Sequence, residues 1–547
     1  MRLSSLALVT PLLLLSLLSA ACSSSDPDSP ATSAGSDAGL DADATACDEP
    51  ARFPSTADKT FVTSLPRKDD DGALALGKGP AADPAVRDQL EKDGFGATKE
   101  ASGESWVVRA PNGVTPPSGT CSRRIARFAH LADLQLADDE SPNRLAAFDA
   151  PIDAFRSASR AQEGELCALA DEAVRTINAI HAKAPLDFLL LGGDNIDSAQ
   201  SNELDWVLSI LDGQKGLKCD SASSNDPIAG PANDGKDVFD AEGAKMPWYW
   251  VNGNHDVLVQ GNVAILDEKG VMNAQAAAAV GTMSSSGTRD YTKAGAPVVT
   301  GKVEADSKRQ VLTGAEILRR VAEKTGGPGP VGHGIGAEQV KSGRAHYTFD
   351  FGSKLRVFVW DSTAPVGGDE GIVYKSELDA VFKPALDKAR ADGKWVILAA
   401  HHGTDRITLD AGTFGRPRVG ALTAQEFIDF VAGYPNVIAS LVGHEHQHKT
   451  NFRFSSKDPT KGFWEIATSA IADWPQQLRV LEVFDEGAGW ARIRATVVDV
   501  DWSTASAAAK LGRTRSTIDY TSGWSGGGGS GGGPEHRNVD LWIKPPM

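Results

Sequence analysis

The chain has 547 residues, 41% of them hydrophobic, and a formal net charge of -17. That length supplies enough apolar material for a large core and allows several domains. The acidic charge, with no run of Lys or Arg, argues against a nucleic-acid duplex as the partner, because binding to its phosphates needs clustered cations.

The first 50 residues predict an export signal followed by a tether. Residues 1–21 carry Arg2, then an apolar stretch too short to span a bilayer, then small residues before Cys22. Cys22 after Ala20-Ala21 looks like the acylation site of a bacterial lipoprotein; the alternative is ordinary signal cleavage that leaves Cys22 free. Residues 22–50 are rich in Ser, Asp and Ala and cannot bury enough apolar surface to fold. We therefore expect export to the cell envelope, periplasmic or at the cell surface, with acylated Cys22 in the lipid membrane.

Cysteine usage agrees with an oxidising compartment. Four cysteines follow Cys22, namely Cys47, Cys121, Cys167 and Cys219. An even number in an exported chain predicts two disulfides, with three possible pairings. Cys167 also fits a small buried hydrophobe, since it lies in a predicted amphipathic helix. The spacing does not match that of a Cys-rich zinc site.

The pattern along the chain favours one large domain with additions at both ends. We expect an N-terminal extension over residues 51–120, a main domain over residues 121–502 and a tail over residues 503–547 that contains a Gly-rich break. Residues 257–344 are long for a connection and predict an insertion that is a candidate lid.

Five apolar runs in the main domain predict strands that are buried on both faces. They cover residues 125–131, 188–191, 248–251, 395–400 and 437–442. Helical spacing predicts a helix over residues 163–184, which Pro185 ends, and a second helix over residues 202–211. Residues 345–350 and 355–361 predict a hairpin, and residues 538–543 a short terminal strand.

A polar motif follows each of the five runs. The motifs are Asp133-Leu134-Gln135, Gly192-Gly193-Asp194, Gly253-Asn254-His255-Asp256, His401-His402 and Gly443-His444-Glu445-His446. Alone, a Gly-Asp pair is commonly a turn and a His pair a solvated surface feature. Ligands of open α/β sheets bind beyond the carboxyl ends of the strands, so five such ends would deliver carboxylate, amide and imidazole groups to one place.

In this order the motifs resemble those of the calcineurin-like metallophosphoesterase superfamily, over about Ile125 to Val500. The superfamily pattern runs Asp-x-His, Gly-Asp-x-x-Asp, Gly-Asn-His-Asp/Glu, His and Gly-His-x-His. One position departs from it, since Gln135 stands where the superfamily has His. This Asp-x-Gln variant, together with Asp138 and the Asp-Trp-Pro-Gln-Gln stretch that begins at Asp473, looks like a bacterial subgroup. The resemblance implies an α/β fold, a four-layer sandwich of two mixed β-sheets face to face with helices outside.

The resemblance also implies two divalent metal ions, Mn, Fe, Zn or Co, bridged by Asp194. One ion is expected to take Asp133, Asp194, His446 and, by position, Gln135. The other is expected to take Asp194, Asn254, His401 and His444. We expect four further side chains to lie outside the metal shell, namely His130, His402, His448 and Asp197. Strand alternation points His130 away from Asp133, and Asp197 is expected to orient backbone or a ligand imidazole.

The chemistry implied is in-line attack on phosphorus by a metal-bound hydroxide. His255 would protonate the leaving group, with Asp256 orienting His255 and favouring its cationic form. Arg144 and Arg479 are candidate phosphate contacts.

We therefore expect a metallophosphoesterase that hydrolyses small phosphomonoesters or phosphodiesters. Two alternatives stay open: a strict phosphodiesterase acting on nucleotides or lipid headgroups, and a non-catalytic, metal-containing surface lipoprotein that lost turnover with the first-motif imidazole. Retention of most ligand side chains argues against the second, because a degenerate site should lose several. The sequence leaves the substrate, the metals and the oligomeric state open.

Overall fold

Two large β-sheets carry the fold, and the five apolar runs contribute strands to both. The structure, a computed structural model, describes residues 47–69, 83–111, 113–144, 158–222, 228–285, 301–524 and 531–544. The predicted export signal and Cys22 lie outside these residues. Within the described ranges, no helix combines the length and apolar character that crossing a bilayer requires.

The strands, in chain order, are β1 Lys59–Thr63, β2 Thr98–Ser102, β3 Val107–Arg109, β4 Arg123–Leu131, β5 Phe188–Leu191, β6 Trp248–Tyr249, β7 Leu258–Val259, β8 Val263–Ala264, β9 Met283–Ser285, β10 Gly301–Val303, β11 Tyr347–Phe351, β12 Leu355–Val359, β13 Trp395–Ala399, β14 Val437–Val442, β15 Lys449–Phe454, β16 Gly462–Ala467, β17 Gln477–Gly487, β18 Trp490–Asp499 and β19 Val539–Ile543.

The α-helices are α1 Pro84–Lys92, α2 Leu166–Lys183, α3 Ser201–Asp212, α4 Asn254–Val257, α5 Ala274–Ala278, α6 Gly314–Ala322, α7 Ala337–Ser342, α8 Lys375–Glu377, α9 Lys383–Ala391, α10 Ala424–Val431 and α11 Ala507–Ser522. The predicted helices match α2 and α3, and the predicted hairpin is the antiparallel pair β11 and β12.

Both sheets are mixed. The seven-stranded sheet has the order β3-β19-β18-β17-β4-β5-β6, and the six-stranded sheet has the order β11-β12-β13-β14-β16-β15. Strands β4, β5 and β6 are parallel, as are β12, β13, β14 and β16. The strands that precede the predicted motifs therefore point the same way within each sheet, and their carboxyl ends lie at a common edge.

Side-chain alternation builds the layers. In β13, Ile397 and Ala399 enter the core shared with the seven-stranded sheet, whereas Val396 and Leu398 pack with the residues of α9 and α10. Between the sheets, the Phe188 ring meets the Phe349 ring edge-on at a centroid distance of 5.4 Å. Helices α2 and α3 add their apolar faces to the shared core. The expected four-layer arrangement of two mixed sheets with helices outside is confirmed.

The third predicted strand is shorter than expected. It covers Trp248–Tyr249 rather than residues 248–251, because the backbone N–H of Trp250 donates to the carbonyl of His333 instead of to a neighbouring strand. The Tyr347 hydroxyl donates a hydrogen bond to the carbonyl of Trp250 at 2.7 Å. Backbone groups that a longer strand would pair are thus satisfied by His333 of the predicted insertion and by Tyr347 of the hairpin.

Residues 301–344, the C-terminal part of that insertion, pack onto the core. Helix α6 buries Ile317, Leu318 and Val321, and the fully buried Arg309 donates to Asp138 at 2.7 Å. A role as a lid stays a prediction.

Two disulfides join the four cysteines that follow Cys22. Cys47 pairs with Cys121, and Cys167 pairs with Cys219. Cys167 is buried, but its disulfide excludes the alternative interpretation as a free small hydrophobe. The expected extension and tail meet in the seven-stranded sheet, where β3 and β19 pair in parallel.

Candidate metal centre

The predicted motifs converge where the carboxyl ends of the parallel strands of the two sheets meet. Within the first sheet, the N–H of Asp133 donates to the Gly193 carbonyl at 3.1 Å, and the N–H of Gln135 donates to the Asp194 carbonyl at 2.8 Å. Across the sheets, the N–H of His444 donates to both carboxylate oxygens of Asp133 at 3.2 Å. Backbone N–H groups therefore link the loops to one another.

Five of the seven predicted metal ligands are linked by short side-chain distances. His401 Nε2 lies 3.0 Å from Asp194 Oδ2 and 3.8 Å from Asp133 Oδ1. His446 Nε2 lies 3.3 Å from Asp133 Oδ1, and Gln135 Nε2 lies 3.3 Å from Asp194 Oδ2. All five side chains are buried.

Asn254 and His444 complete the cluster. Asn254 follows Gly253, whose backbone is so close to Asp194 that an added Cβ would lie 2.0 Å from Asp194 Oδ1; a glycine is required there. The His444 ring centroid lies 5.2 Å from that of His401. The structure thus brings all seven predicted ligands together, and their binding of metal stays a prediction.

Unpartnered polar atoms fit a cation at this place. Among the described residues, the buried atoms without a hydrogen-bond partner include Gln135 Oε1, Asn254 Oδ1 and His401 Nε2. Leaving such an atom unpaired costs on the order of 1–3 kcal/mol. The two amide oxygens offer lone pairs, and His401 Nε2, which lies 3.0 Å from Asp194 Oδ2, offers one once its proton is displaced. Ligand atoms of Asp133, Asp194 and His401 also lie within 4.8 Å of one another. Mixed nitrogen and oxygen ligation suits Mn, Fe, Zn or Co.

Backbone strain is concentrated at the same residues. Five of the seven predicted ligands have positive φ angles, namely Asp133 (54°), Gln135 (43°), Asp194 (52°), His444 (70°) and His446 (53°). Residues other than glycine rarely adopt this left-handed conformation, which costs on the order of 1–3 kcal/mol each. The fold therefore holds these side chains in directions that a relaxed chain would not choose.

Hydrogen bonds orient two of the imidazoles. His401 Nδ1 is 2.8 Å from the Gly192 carbonyl, and His446 Nδ1 is 2.5 Å from Asp473 Oδ2. An N–H that donates from Nδ1 leaves the lone pair on Nε2 for a cation.

The same surroundings set the pKa of each imidazole. Burial lowers the pKa of both, but the carboxylates of Asp194 and Asp133 outweigh it. The pKa of His401 rises to about 9 and that of His446 to about 10. A cation that binds at either Nε2 must therefore displace a proton.

His402 is close to the cluster but already engaged. Its Nδ1 lies 2.8 Å from Ser362 Oγ and its Nε2 lies 3.1 Å from the Asp369 carbonyl. Burial, followed by the charge of His401, lowers the pKa of His402 to about 3. Ligand atoms of His402, His401 and His444 nevertheless lie within 4.8 Å of one another, so the place of His402 outside the metal shell stays a prediction.

His255 faces the cluster, but its partner differs from the predicted one. Its Nδ1 lies 2.9 Å from the Asp197 carbonyl and 3.2 Å from Asp197 Oδ1, and its Nε2 lies 3.9 Å from Asp194 Oδ2. Burial lowers the pKa of His255, but Asp194 and Asp197 outweigh it and raise that pKa above its usual value.

The prediction that Asp256 orients His255 is wrong. The Asp256 carboxylate accepts hydrogen bonds from the backbone N–H groups of Gly253, Asn195 and Ile196 and from the Asn195 side chain, at 2.7 to 3.1 Å. Adjacent residues of a helical turn point in different directions. Asp256 therefore braces the turns that carry Asn254 and Asp194, and Asp197 takes the orienting place.

The two candidate phosphate contacts are also wrong. Arg144 is buried and donates to Asp197 at 2.7 Å and to Glu163 at 2.5 Å. Arg479 is buried and donates to the carbonyls of Ala467, Arg537 and His536. Both guanidinium groups are held by protein acceptors, so they support the structure rather than a ligand.

Three residues near the site have no role in the sequence-based prediction. They are Asp473, which contacts His446, and Arg160 and Gln162, which contact Asp473. The Asp-Trp-Pro-Gln-Gln stretch at Asp473 was the only signal in the sequence, and it carried no indication of which motif it would meet.

The calcineurin-like phosphoesterase family model matches residues 126–448, which is more than half of the chain. No curated protein matches. Among solved structures, a dimetal phosphatase from Danio rerio is similar over 69% of this chain and 100% of its own, with 11% identity and a TM-score of 0.38.

Two more solved structures are similar at lower scores. A sulfate thiohydrolase from Thermus thermophilus covers 74% of this chain and 61% of its own, with 13% identity and a TM-score of 0.28. A purple acid phosphatase from yellow lupin seeds covers 73% and 54%, with 10% identity and a TM-score of 0.28. The family match spans every motif of the centre, from Asp133 to His446, and the chain therefore belongs to the calcineurin-like phosphoesterase family of metal-dependent hydrolases.

Proposed function

We propose that this chain is an exported dinuclear phosphoesterase that hydrolyses small phosphomonoesters or phosphodiesters. The observation that supports it most directly is the set of unpartnered atoms around Asp194, namely Gln135 Oε1, Asn254 Oδ1 and His401 Nε2. The three side chains come from loops of both sheets and are buried, where polar groups are normally paired.

Two divalent ions, when bound, would supply Lewis acidity to the phosphoryl oxygens and an acidified water as nucleophile. The residues that would hold one ion are Asp133, Gln135, Asp194 and His446. Those that would hold the other are Asp194, Asn254, His401 and His444. The first set contains Gln135 in place of His, as in the Asp-x-Gln subgroup that we propose for this chain.

The remaining step is proton donation to the leaving oxygen. His255 suits it, because Asp197 holds Nδ1 while Nε2 points toward Asp194, and the side chain is 15% exposed. Arg144, bonded to Asp197, fixes that carboxylate in turn. A partly exposed imidazole beside the metal ligands can deliver a proton where the leaving group departs.

The non-catalytic alternative predicts metal without turnover. Metal content per chain, measured beside hydrolysis of p-nitrophenyl phosphate and bis-p-nitrophenyl phosphate, separates the three candidates. Bound metal with no hydrolysis of either ester would favour a binding lipoprotein, and hydrolysis of the diester alone would favour a strict phosphodiesterase.

Asp194→Asn should remove most bound metal and abolish hydrolysis, because the shared anionic ligand is lost. Metal analysis of the purified variant and circular dichroism check this. Asp187→Asn is the matched control, since Asp187 precedes β5 at its other end and bonds to the Arg127 backbone. Wild-type metal content in Asp194→Asn would overturn the bridging assignment.

His255→Ala should lower kcat by about 10²- to 10⁴-fold while metal stays bound, since general acid catalysis contributes on that scale. The loss should shrink for esters of p-nitrophenol, whose leaving group needs no proton. Rates measured for alkyl and aryl esters test this. An equal loss for both ester types would contradict proton donation by His255.

Gln135→His should tighten metal binding at the Asp133 ion without abolishing turnover, because imidazole is a better donor than a neutral amide to borderline metals. The wild-type enzyme, purified without added metal, should be partly active and gain activity with Mn²⁺. Metal titration of both proteins beside their kinetics is the measurement. Unchanged affinity with impaired turnover would show that Gln135 serves the substrate or water instead.

Export through a lipid anchor at Cys22 also belongs to this proposal. Two disulfides in the described chain suit an oxidising compartment. Mass spectrometry of membrane-extracted protein should find a diacylated or triacylated Cys22 as the first residue. A soluble mature form that begins elsewhere and carries no lipid would contradict the anchor.

A further inference from the structure

The loop between β16 and β17 is fastened to the metal centre. The N–H of Ala472 donates to the Asp133 carbonyl at 3.0 Å, and the N–H of Ile471 donates to it at 3.2 Å. The next residue, Asp473, therefore lies beside a predicted ligand although it is far from every motif in sequence.

The Asp473 carboxylate divides its two oxygens between two tasks. Oδ2 accepts from His446 Nδ1 at 2.5 Å. Oδ1 lies 3.1 Å from Arg160 Nε and accepts from Gln162 Nε2 at 3.0 Å. One oxygen is thus fixed by a cation and an amide, and the other is left for the imidazole.

Those two partners are themselves immobile. The Arg160 side chain is 5% exposed, and its backbone N–H donates to Glu163. Gln162 is fully buried and also donates to the Ala472 carbonyl at 2.9 Å. Arg160, Gln162 and Asp473 therefore form a braced acceptor for the His446 imidazole.

We propose that Asp473 is a positioning residue for metal binding: held by Arg160 and Gln162, it keeps the proton of His446 on Nδ1 and turns Nε2 toward the ion taken by Asp133. The proposal rests on the dinuclear site described under the proposed function. Nε2 lies 3.3 Å from Asp133 Oδ1, a distance that suits two ligands of one cation.

The imidazole ligands of the two predicted ions differ in the group that accepts their Nδ1 proton. His401 donates from Nδ1 to a neutral carbonyl, that of Gly192, whereas His446 donates to a carboxylate. A carboxylate partner makes an imidazole a stronger donor, and its loss typically costs 10- to 100-fold in metal affinity or activity. The stronger donor serves the ion whose ligand set contains Gln135, so Asp473 offsets the weaker amide.

Titration with Mn²⁺ alone, followed by calorimetry, tests the proposal. In Asp473→Asn, one of the two Mn²⁺ affinities should fall by about 10- to 100-fold, with the other unchanged. Glu486→Gln is the matched control, because Glu486 is a buried carboxylate paired with Arg492 at 2.5 Å and lies in β17 away from the motifs. It should leave both affinities unchanged.

A double-mutant cycle separates positioning from a structural role. Because Asp473 acts through His446, Asp473→Asn should cause no further loss of affinity in a His446→Ala background. An equal loss in both backgrounds, or a loss at both ions accompanied by a lower unfolding midpoint, would overturn the proposal. Wild-type protein that binds no Mn²⁺ would instead overturn the proposed function, whereas wild-type binding with an unaffected Asp473→Asn would overturn positioning alone.

Discussion

The junction between the two sheets decides whether a site exists at all. Asp133 and Asp194 end strands of the seven-stranded sheet, while His401, His444 and His446 follow strands of the six-stranded sheet. No sheet holds a complete ligand set, so the distance of 3.0 Å between His401 Nε2 and Asp194 Oδ2 depends on how the sheets pack. The shared core, with Phe188 against Phe349, fixes that packing far from the polar edge. A close-packed interior transmits its geometry to the edge because it deforms little.

The sequence predicted which polar groups follow the buried strands, because the end of a buried strand is marked by a local pattern of residues. A buried strand followed by a polar residue is a local pattern, and parallel strands place such residues at one edge. The long strands β17 and β18 were harder to predict from the sequence, since charged residues interrupt their apolar pattern. Glu482 in β17, for example, is buried because Arg127 donates to it at 2.9 Å. An ion pair between strands that are distant in the sequence cannot be predicted from the residues around either partner.

Side-chain partners were harder to predict than the strand ends. Adjacency suggested Asp256 for His255, but the turn after β6 directs Asp256 back to the backbone of Asn195 and Ile196, and Asp197 arrives from another strand end. Asp473 is similar, because only the tertiary fold brings it to His446. Positive φ angles at Asp133 and His446 were equally hidden, since neither residue type demands them. Local chemistry is visible in sequence, whereas the choice of partner depends on the path of the loops.

The strained backbone at the predicted ligands has a thermodynamic consequence. Left-handed residues and unpaired lone pairs are costs that the folded chain carries by itself, and a cation that binds only the folded state offsets them by mass action. Such linkage raises the free energy of unfolding by RT ln(1 + [L]/Kd), about 2.7 kcal/mol when the free ion is at a hundred times its Kd. Ion supply in the surrounding compartment would then govern the lifetime of this protein against proteolysis as well as its rate of turnover.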